Sequence, residues 1–385
     1  MRLAWFRPAT HVSDWLDDTA ALVGALGTEH DIATIDEARA YDFIRLDFRT
    51  PFDLCVFELA DTPQHAYIWP YLLHRPGILR LRSLSLHESR TQALRQPHRE
   101  HDRALELAFG DGDLTAAPIL ASRMTIVSDA HAAARLQRLY PTVHVRHAPL
   151  GVGWGQASGQ ARGQAWGQAS GQAWGQVWSQ GTGQAPSQPP IVGALDSARN
   201  TLIQRAVGRA RDAGAPLELI SGPAESVIKK ADIVIAVTWP PADELTLALA
   251  GMAAARAVIV LETESTAGWP ALDPQTWQPR GWTGQPPIVV SIDPRDEEHS
   301  MSLALRRLTT DAALRETLGS AAHEWWQQHA TLDHAVRAWR SILAEAVTLN
   351  PPPRPLDWPR HLNADGTERA RELLGEFGAT VDFLT

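Results

Sequence analysis

The chain reads as an α/β protein of two doubly wound, parallel-sheet (Rossmann-like) domains facing one another across a cleft. Three observations carry this reading. Short apolar runs recur along the 385 residues with helical segments between them. They fall into two blocks separated by a Gly/Gln-rich repeat. Several are almost continuously aliphatic, as expected of parallel strands covered on both faces. A chain of this length also favours two domains over one.

In the first block the strand candidates are "RLAWF", "FDLCVFELA", "GILRLRS", "MTIVSD" and "VHVRHAPL". In the second they are "PIVGAL", "PLELISG", "DIVIAV", "AVIVLE" and "PIVVSID". Between them "SDWLDDTAALVGALGTE", "HAAARLQRLY", "TLIQRAVGRARDAG" and "DELTLALAGMAAA" read as helices. The expected organisation is an N-terminal Rossmann-like domain over 1–150, a Gly/Gln/Trp linker insertion over 151–189, a C-terminal Rossmann-like domain over 190–345 and an extension over 346–385. The insertion repeats every four residues without helical or strand period, which describes a flexible linker. Its Trp166, Trp174 and Trp178 could dock on a surface or stack on sugar rings, but solenoids need longer repeats to bury a core. The repeat therefore marks a boundary rather than the site. Ligands of such sheets sit beyond the carboxyl ends of the strands, so the cleft is the default site.

Composition removes several classes. Hydrophobic residues make up 44% and charged residues 21%, enough for ordinary cores. A net charge of −9 argues against nonspecific nucleic-acid binding, which wants a basic face. The single cysteine, Cys55, excludes an intrachain disulfide and a cysteine-cluster metal site. It lies in an apolar run and reads as a small core residue, not a nucleophile. No His/Asp/Glu spacing points to a metal. The opening "MRLAWFRPATHVSDW" has too short an apolar stretch for a signal peptide, and no 18-residue apolar span follows. A cytoplasmic protein is expected.

The segment "WPPADELTLALAGMAAARAVIV", residues 239–260, puts Asp243 and Glu244 at the mouth of an otherwise apolar stretch. Acidic residues suit the first turn of a helix, whose unpaired N–H groups carry partial positive charge. They equally suit a loop that binds a ligand's hydroxyls. The residues alone leave both readings open.

Four ordered stretches carry a family resemblance. They are "YDFIRLDFRTPFDLCVFELADTPQHAYIWPYLLHRPGILRLRSLSLHES", "ASRMTIVSDAHAAARLQRLYPTVHVRHAPLGV", "ADIVIAVTWPPADE" followed by "AVIVLE", and "TTDAALRETLGSAAHEWWQQHATLDHAVRAWRSIL". Together they resemble the two-domain (GT-B) glycosyltransferases of group 1, the GT4 family. The resemblance implies sugar transfer from a nucleoside-diphosphate sugar, usually with retention, within glycan biosynthesis, with 1–150 as the acceptor-side domain and 190–345 as the nucleotide-sugar-binding domain with its closing helices. It implies no cofactor or metal, since the nucleotide sugar is a substrate. The acceptor would be a glycan, a lipid-linked or a small molecule; no nucleic acid is implied, and peripheral membrane association stays open.

Such chemistry needs positive charge or a helix N-terminus at the departing diphosphate. It also needs fixed partners for the sugar hydroxyls and an acceptor held while its proton leaves, for which the leaving phosphate can itself be the base. Carried over, the resemblance puts Arg199 at the diphosphate and Glu244, in the loop before its helix, at the transferred sugar in a catalytic and donor-binding role. Asp243 stands beside it on the donor side, mainly as a helix-start residue. His87 becomes a second catalytic candidate, His65 an acceptor-side or cleft residue, and Arg82 a donor-phosphate contact. The bland readings stay beside these: a solvated helix-start arginine, structural histidines, a surface ion pair at Arg82. Arg205 lies too far along its helix, and Lys229 and Lys230 read as a solvated face.

The chain also departs from the pattern. Arg82 and Ser83 stand where His and Asp are usual, and "RPATHVSDW" has no glycine. The second glutamate, eight residues after Glu244, is replaced by Met252, or by Ala250 if "MAAARAVIV" sets the alignment. Arg256 and Ala257 replace the usual Gly-x-Pro. These departures support an alternative: a catalytically lapsed GT-B protein serving as a binding or assembly partner in glycan biosynthesis.

Overall fold

The computed structural model describes residues 1–9, 17–94, 100–110, 112–152, 188–195, 200–237, 242–280, 284–350, 352–363 and 373–378. The chain divides into two compact units. The first gathers 1–9, 27–148 and 340–385; the second gathers 10–26 and 149–339, including helix α1 (Asp18–Leu26).

The sheet of the first unit has six parallel strands: β1 (Arg2–Phe6), β2 (Asp31–Ile35), β3 (Leu54–Leu59), β4 (Ile78–Leu81), β5 (Met124–Val127) and β6 (His144–His147). Their order is β2-β1-β3-β4-β5-β6. The inner strands β3, β4 and β5 are buried at every position, which is why they read as mainly apolar runs, interrupted only by Glu58, Arg80 and Thr125. Edge strand β2, "DIATI", is mostly half-exposed, and the sequence pattern missed it. Gly77 lets β4 start beside β3, since a Cβ there would lie 2.3 Å from the Cys55 carbonyl oxygen. Helices α2 (Ala40–Arg49), α3 (Ile68–His74), α4 (His87–Ala93), α5 (Glu100–Phe109), α6 (Ala116–Ala121) and α7 (Ala130–Leu139) cover the sheet. Asp129 caps α7 by accepting from the backbone N–H groups of His131 and Ala132 at 3.2 and 2.8 Å.

The chain's last stretch completes this unit. Trp358 and Leu362 are buried in its core, with Trp358 edge-on to Phe109 at 5.5 Å. His361 Nε2 lies 2.6 Å from Glu106 Oε1, on a buried carboxylate that also accepts from Arg90 Nε at 2.6 Å. Arg146 pairs with Glu345 at 2.6 Å, and Arg340 with Glu29.

The second unit has β7 (Ile191–Leu195), β8 (Glu218–Gly222), β9 (Ile233–Ala236), β10 (Ala257–Leu261), β11 (Ala271–Leu272), β12 (Pro279–Arg280) and β13 (Val289–Ile292). They are ordered β12-β11-β13-β10-β9-β7-β8, and only the two-residue pair β11/β12 is antiparallel. That small hairpin, too short for a periodic signal, holds the other strands the sequence pattern missed. The helices are α8 (Asn200–Asp212), α9 (Ala224–Lys230), α10 (Ala242–Ala253), α11 (Glu297–Thr310), α12 (Ala312–His329) and α13 (Leu332–Ala346), whose residues from Arg340 on belong to the first unit. The sequence pattern did not read α2 to α6, α9 and α11 as helices. Asp311 caps α12 at Leu314 N, 3.0 Å. Gly319 lets α12 lie against the turn after α10, where an added Cβ would stand 2.3 Å from the Ala255 carbonyl oxygen. No helix among the described residues is long and apolar enough to cross a membrane. The Gly/Gln/Trp repeat lies almost wholly outside the described residues.

Candidate active site

In each sheet the strand order reverses between its first and third strands, and that reversal places the site. In the first unit it falls between β1 and β3; in the second, between β7 and β9. The crevice beyond the carboxyl ends at such a reversal is where doubly wound sheets take ligands.

In the first unit that edge is built from charged and polar groups. Glu58 and Arg80 are register partners on β3 and β4, and both are buried. Arg82 stands two residues beyond Arg80, on the same face of the extended chain. Arg80 Nη1 donates to Glu58 Oε2 at 3.3 Å and Arg82 Nη1 to Glu58 Oε1 at 3.2 Å. Arg7, also buried, follows β1 at the same edge. Asp61, just past β3, accepts from Glu88 N at 2.6 Å and Ser89 N at 3.3 Å, tying this loop to the start of α4. Its own N–H donates to Ser83 Oγ at 3.2 Å, so Ser83 holds this turn.

The elements that carry His65 and His87 meet here. His65 ends a 3-10 turn, Pro63–His65, which packs on α4, and His87 is the first residue of α4. His65 is buried, with Nδ1 2.8 Å from Thr62 Oγ1. Burial pushes its pKa down to about 4; Glu58 opposes this, while Arg82 and Arg7 add to it. The ring is therefore neutral at pH 7, suited to orient a hydroxyl and not to bind phosphate by charge. His87 is half-buried. Cys55 lies in the core with its thiol pushed up to about 12 by burial, which makes it unreactive.

In the second unit β7 and β9 are hydrogen-bonded neighbours, so the segments that follow them start from one edge of the sheet. Arg199 immediately precedes α8 in sequence and lies outside the described residues. Asp243 and Glu244 both fall in the first turn of α10. Glu244 is thus inside the helix rather than in the loop before it: Ala, Asp, Glu and Leu extend a helix readily, and acids suit its first turn. The side chains of both lie outside the described residues. At the two positions considered for a second carboxylate the chain has core: Ala250 and Met252 are fully buried. Arg205 pairs with Glu298 on α11 at 2.9 Å, committed to helix packing. Lys229 pairs with Glu225 at 2.5 Å, and it and Lys230 are exposed, the solvated face expected. Arg256 Nη2 donates to the Lys229 carbonyl at 3.2 Å. Among the described residues no group of three or more His, Cys, Asp or Glu could hold a metal ion.

Sequence reasoning named Arg82 but passed over Glu58, Arg80 and Arg7. A signal was present: a charge inside each of two apolar strand candidates, "FDLCVFELA" and "GILRLRS", asks for a buried partner.

No protein-family model matches the chain, and no curated protein matches it. Solved structures do. The catalytic domain of starch synthase IV from Arabidopsis thaliana, bound to ADP and acarbose, matches over 90% of this chain and 99% of its own, at 10% identity and a TM-score of 0.57. HepE from Anabaena, in complex with UDP and glucose, matches over 90% and 100%, at 9% identity and a TM-score of 0.54. At such identities the likeness is one of fold. This chain has the two-sheet GT-B fold of glycosyltransferases.

Proposed function

We propose that the protein is a glycosyltransferase that moves a sugar from a nucleoside-diphosphate sugar to an acceptor hydroxyl, with retention at the anomeric carbon. The observation that carries the reading is the strand reversal between β7 and β9. From these adjacent strands the chain runs, respectively, into Arg199 before α8 and into Asp243 and Glu244 at the start of α10. The GT-B neighbours are described with UDP and glucose or with ADP and acarbose, which supports a nucleotide-sugar donor here.

In this reading the departing diphosphate sits at the amino end of α8, where the positive end of the helix dipole and Arg199 take up its charge. Glu244 accepts from the sugar hydroxyls, and Asp243 serves the helix start. On the acceptor side, His87 and the neutral ring of His65 orient the hydroxyl, whose proton passes to the leaving phosphate. No metal or other cofactor takes part. The acceptor is a glycan, a lipid-linked or a small molecule of glycan biosynthesis in the cytoplasm; a lipid-linked one would draw the protein peripherally to a membrane. Two features favour the lapsed alternative: the buried residues at 250 and 252, and the engagement of Arg82 with Glu58.

A panel of UDP-, GDP- and ADP-sugars tests the reading. At least one should raise the melting temperature by binding the native state, and product analysis with that donor should then identify the acceptor. Glu244→Gln should lower transfer by roughly ten- to a hundredfold, about 1.5–3 kcal/mol, while moving stability by less than about 1 kcal/mol. No thermal response to any donor or free nucleotide refutes nucleotide binding. Binding without product favours the lapsed protein.

A further inference from the structure

Helix α2, "AYDFIRLDFR", carries more apolar surface than the core takes. Ala40 and Phe43 are buried against the sheet. Tyr41, Ile44 and Phe48 point the other way, 87%, 66% and 90% exposed. Spaced at i, i+3 and i+7, they form one stripe along the helix. Arg45 and Arg49, both exposed, come next around the helix; Asp42 offsets Arg45 at 3.2 Å. Asp47, on the flank nearer the core, is engaged by Arg75 at 2.7 Å.

Single exposed apolar side chains are ordinary on a monomer, but a contiguous aromatic and aliphatic stripe marks a docking face. Its size decides between occupants. Three side chains of this kind offer on the order of 500 Å², short of the roughly 800 Å² each partner contributes to a stable protein interface. A lipid surface needs no complementary shape: large apolar side chains entering the headgroup boundary beside guanidinium groups are enough. Those cations stand out on a chain whose net charge is −9.

We propose that α2 docks the protein on an anionic lipid surface, with Tyr41, Ile44 and Phe48 entering the headgroup region and Arg45 and Arg49 meeting lipid phosphates. The proposal stands on α2 alone and holds whether or not the chain transfers sugars.

The test is flotation of the full chain with vesicles of phosphatidylcholine alone and of phosphatidylcholine with about one third phosphatidylglycerol, a fraction at which polybasic attraction is measurable. The protein should float with the anionic vesicles and far less with the neutral ones. The combined Tyr41→Ser, Ile44→Ser, Phe48→Ser variant should lose at least about tenfold of that partition, and Arg45→Glu with Arg49→Glu should abolish the preference for anionic lipid. Because all five side chains are exposed, both variants should keep the wild-type circular dichroism and melting temperature. Absence of wild-type flotation overturns the proposal, as does flotation indifferent to the triple change or to lipid charge. A wild-type dimer that the triple change makes monomeric, read by light scattering, would assign the face to a second copy instead.

Discussion

Glu58→Gln removes the one carboxylate that two guanidinium groups share at the carboxyl edge of the first sheet. Relative exposure of the side chains is 7% for Glu58, 7% for Arg80 and 16% for Arg82, so water can replace little of what is lost. Breaking a buried pair by neutralising one partner costs about 3–5 kcal/mol. Glutamine keeps one acceptor oxygen, and Arg82 reaches some solvent, which favours the low end, about 3 kcal/mol. For a unit of this size each kcal/mol moves the midpoint by about 2–4 °C, so a fall of about 6–12 °C is expected. Scanning calorimetry of the wild type, Glu58→Gln, Arg82→Met and the double variant reads both the cost and the coupling. The double variant should be less destabilised than the sum of the singles by about 1 kcal/mol or more. A Gln variant melting within about 2 °C of wild type, or strictly additive singles, would refute an energetically important cluster.

Three further outcomes follow from the packing. His65 titrates near 4 in the folded chain against 6.5 when free, so the unfolded state binds the extra proton between those values. Its contribution is full above about pH 6.5 and is lost as pH falls toward 4, about 3 kcal/mol in all; His65→Gln should flatten that part of a stability–pH curve, and an unchanged slope would place the effect elsewhere. Gly319→Ala sets a Cβ 2.3 Å from the Ala255 carbonyl oxygen and should destabilise by about 1–3 kcal/mol in urea unfolding. Gly208→Ala, in helix α8 with nothing within 4 Å of the new Cβ, should instead stabilise by about 0.5–1 kcal/mol.

The ten strands read from the sequence are present, and eight of them are inner strands whose mainly apolar runs are a local property; β6 and β8 lie at sheet edges. β2 and the β11/β12 hairpin escaped for the opposite reason. Half-exposed "DIATI" owes its conformation to pairing with β1, and two-residue strands owe theirs to the neighbouring β13. The site was legible only in part. His65 and His87 were named from motif position, and the fold brings their elements into contact. The role of Arg82 was not legible, since its partner Glu58 stands 24 residues away on another strand and only the parallel register joins them. The same holds for Met252: a sequence shows that a carboxylate is missing, but not that its place is already filled by core.

The return of the chain into the first unit at Arg340 bears on how the protein is made. The sheet of that unit is complete at His147, yet Trp358, Leu362 and the His361 that meets Glu106 belong to the final tenth of the chain. A ribosome would release these residues only after the second unit has emerged. Until then the nascent first unit holds an unfilled apolar seat beside Phe109 and a buried Glu106 without its histidine. Synthesis that stops short of residue 358 would therefore leave the earlier-made unit defective and the later-made one intact.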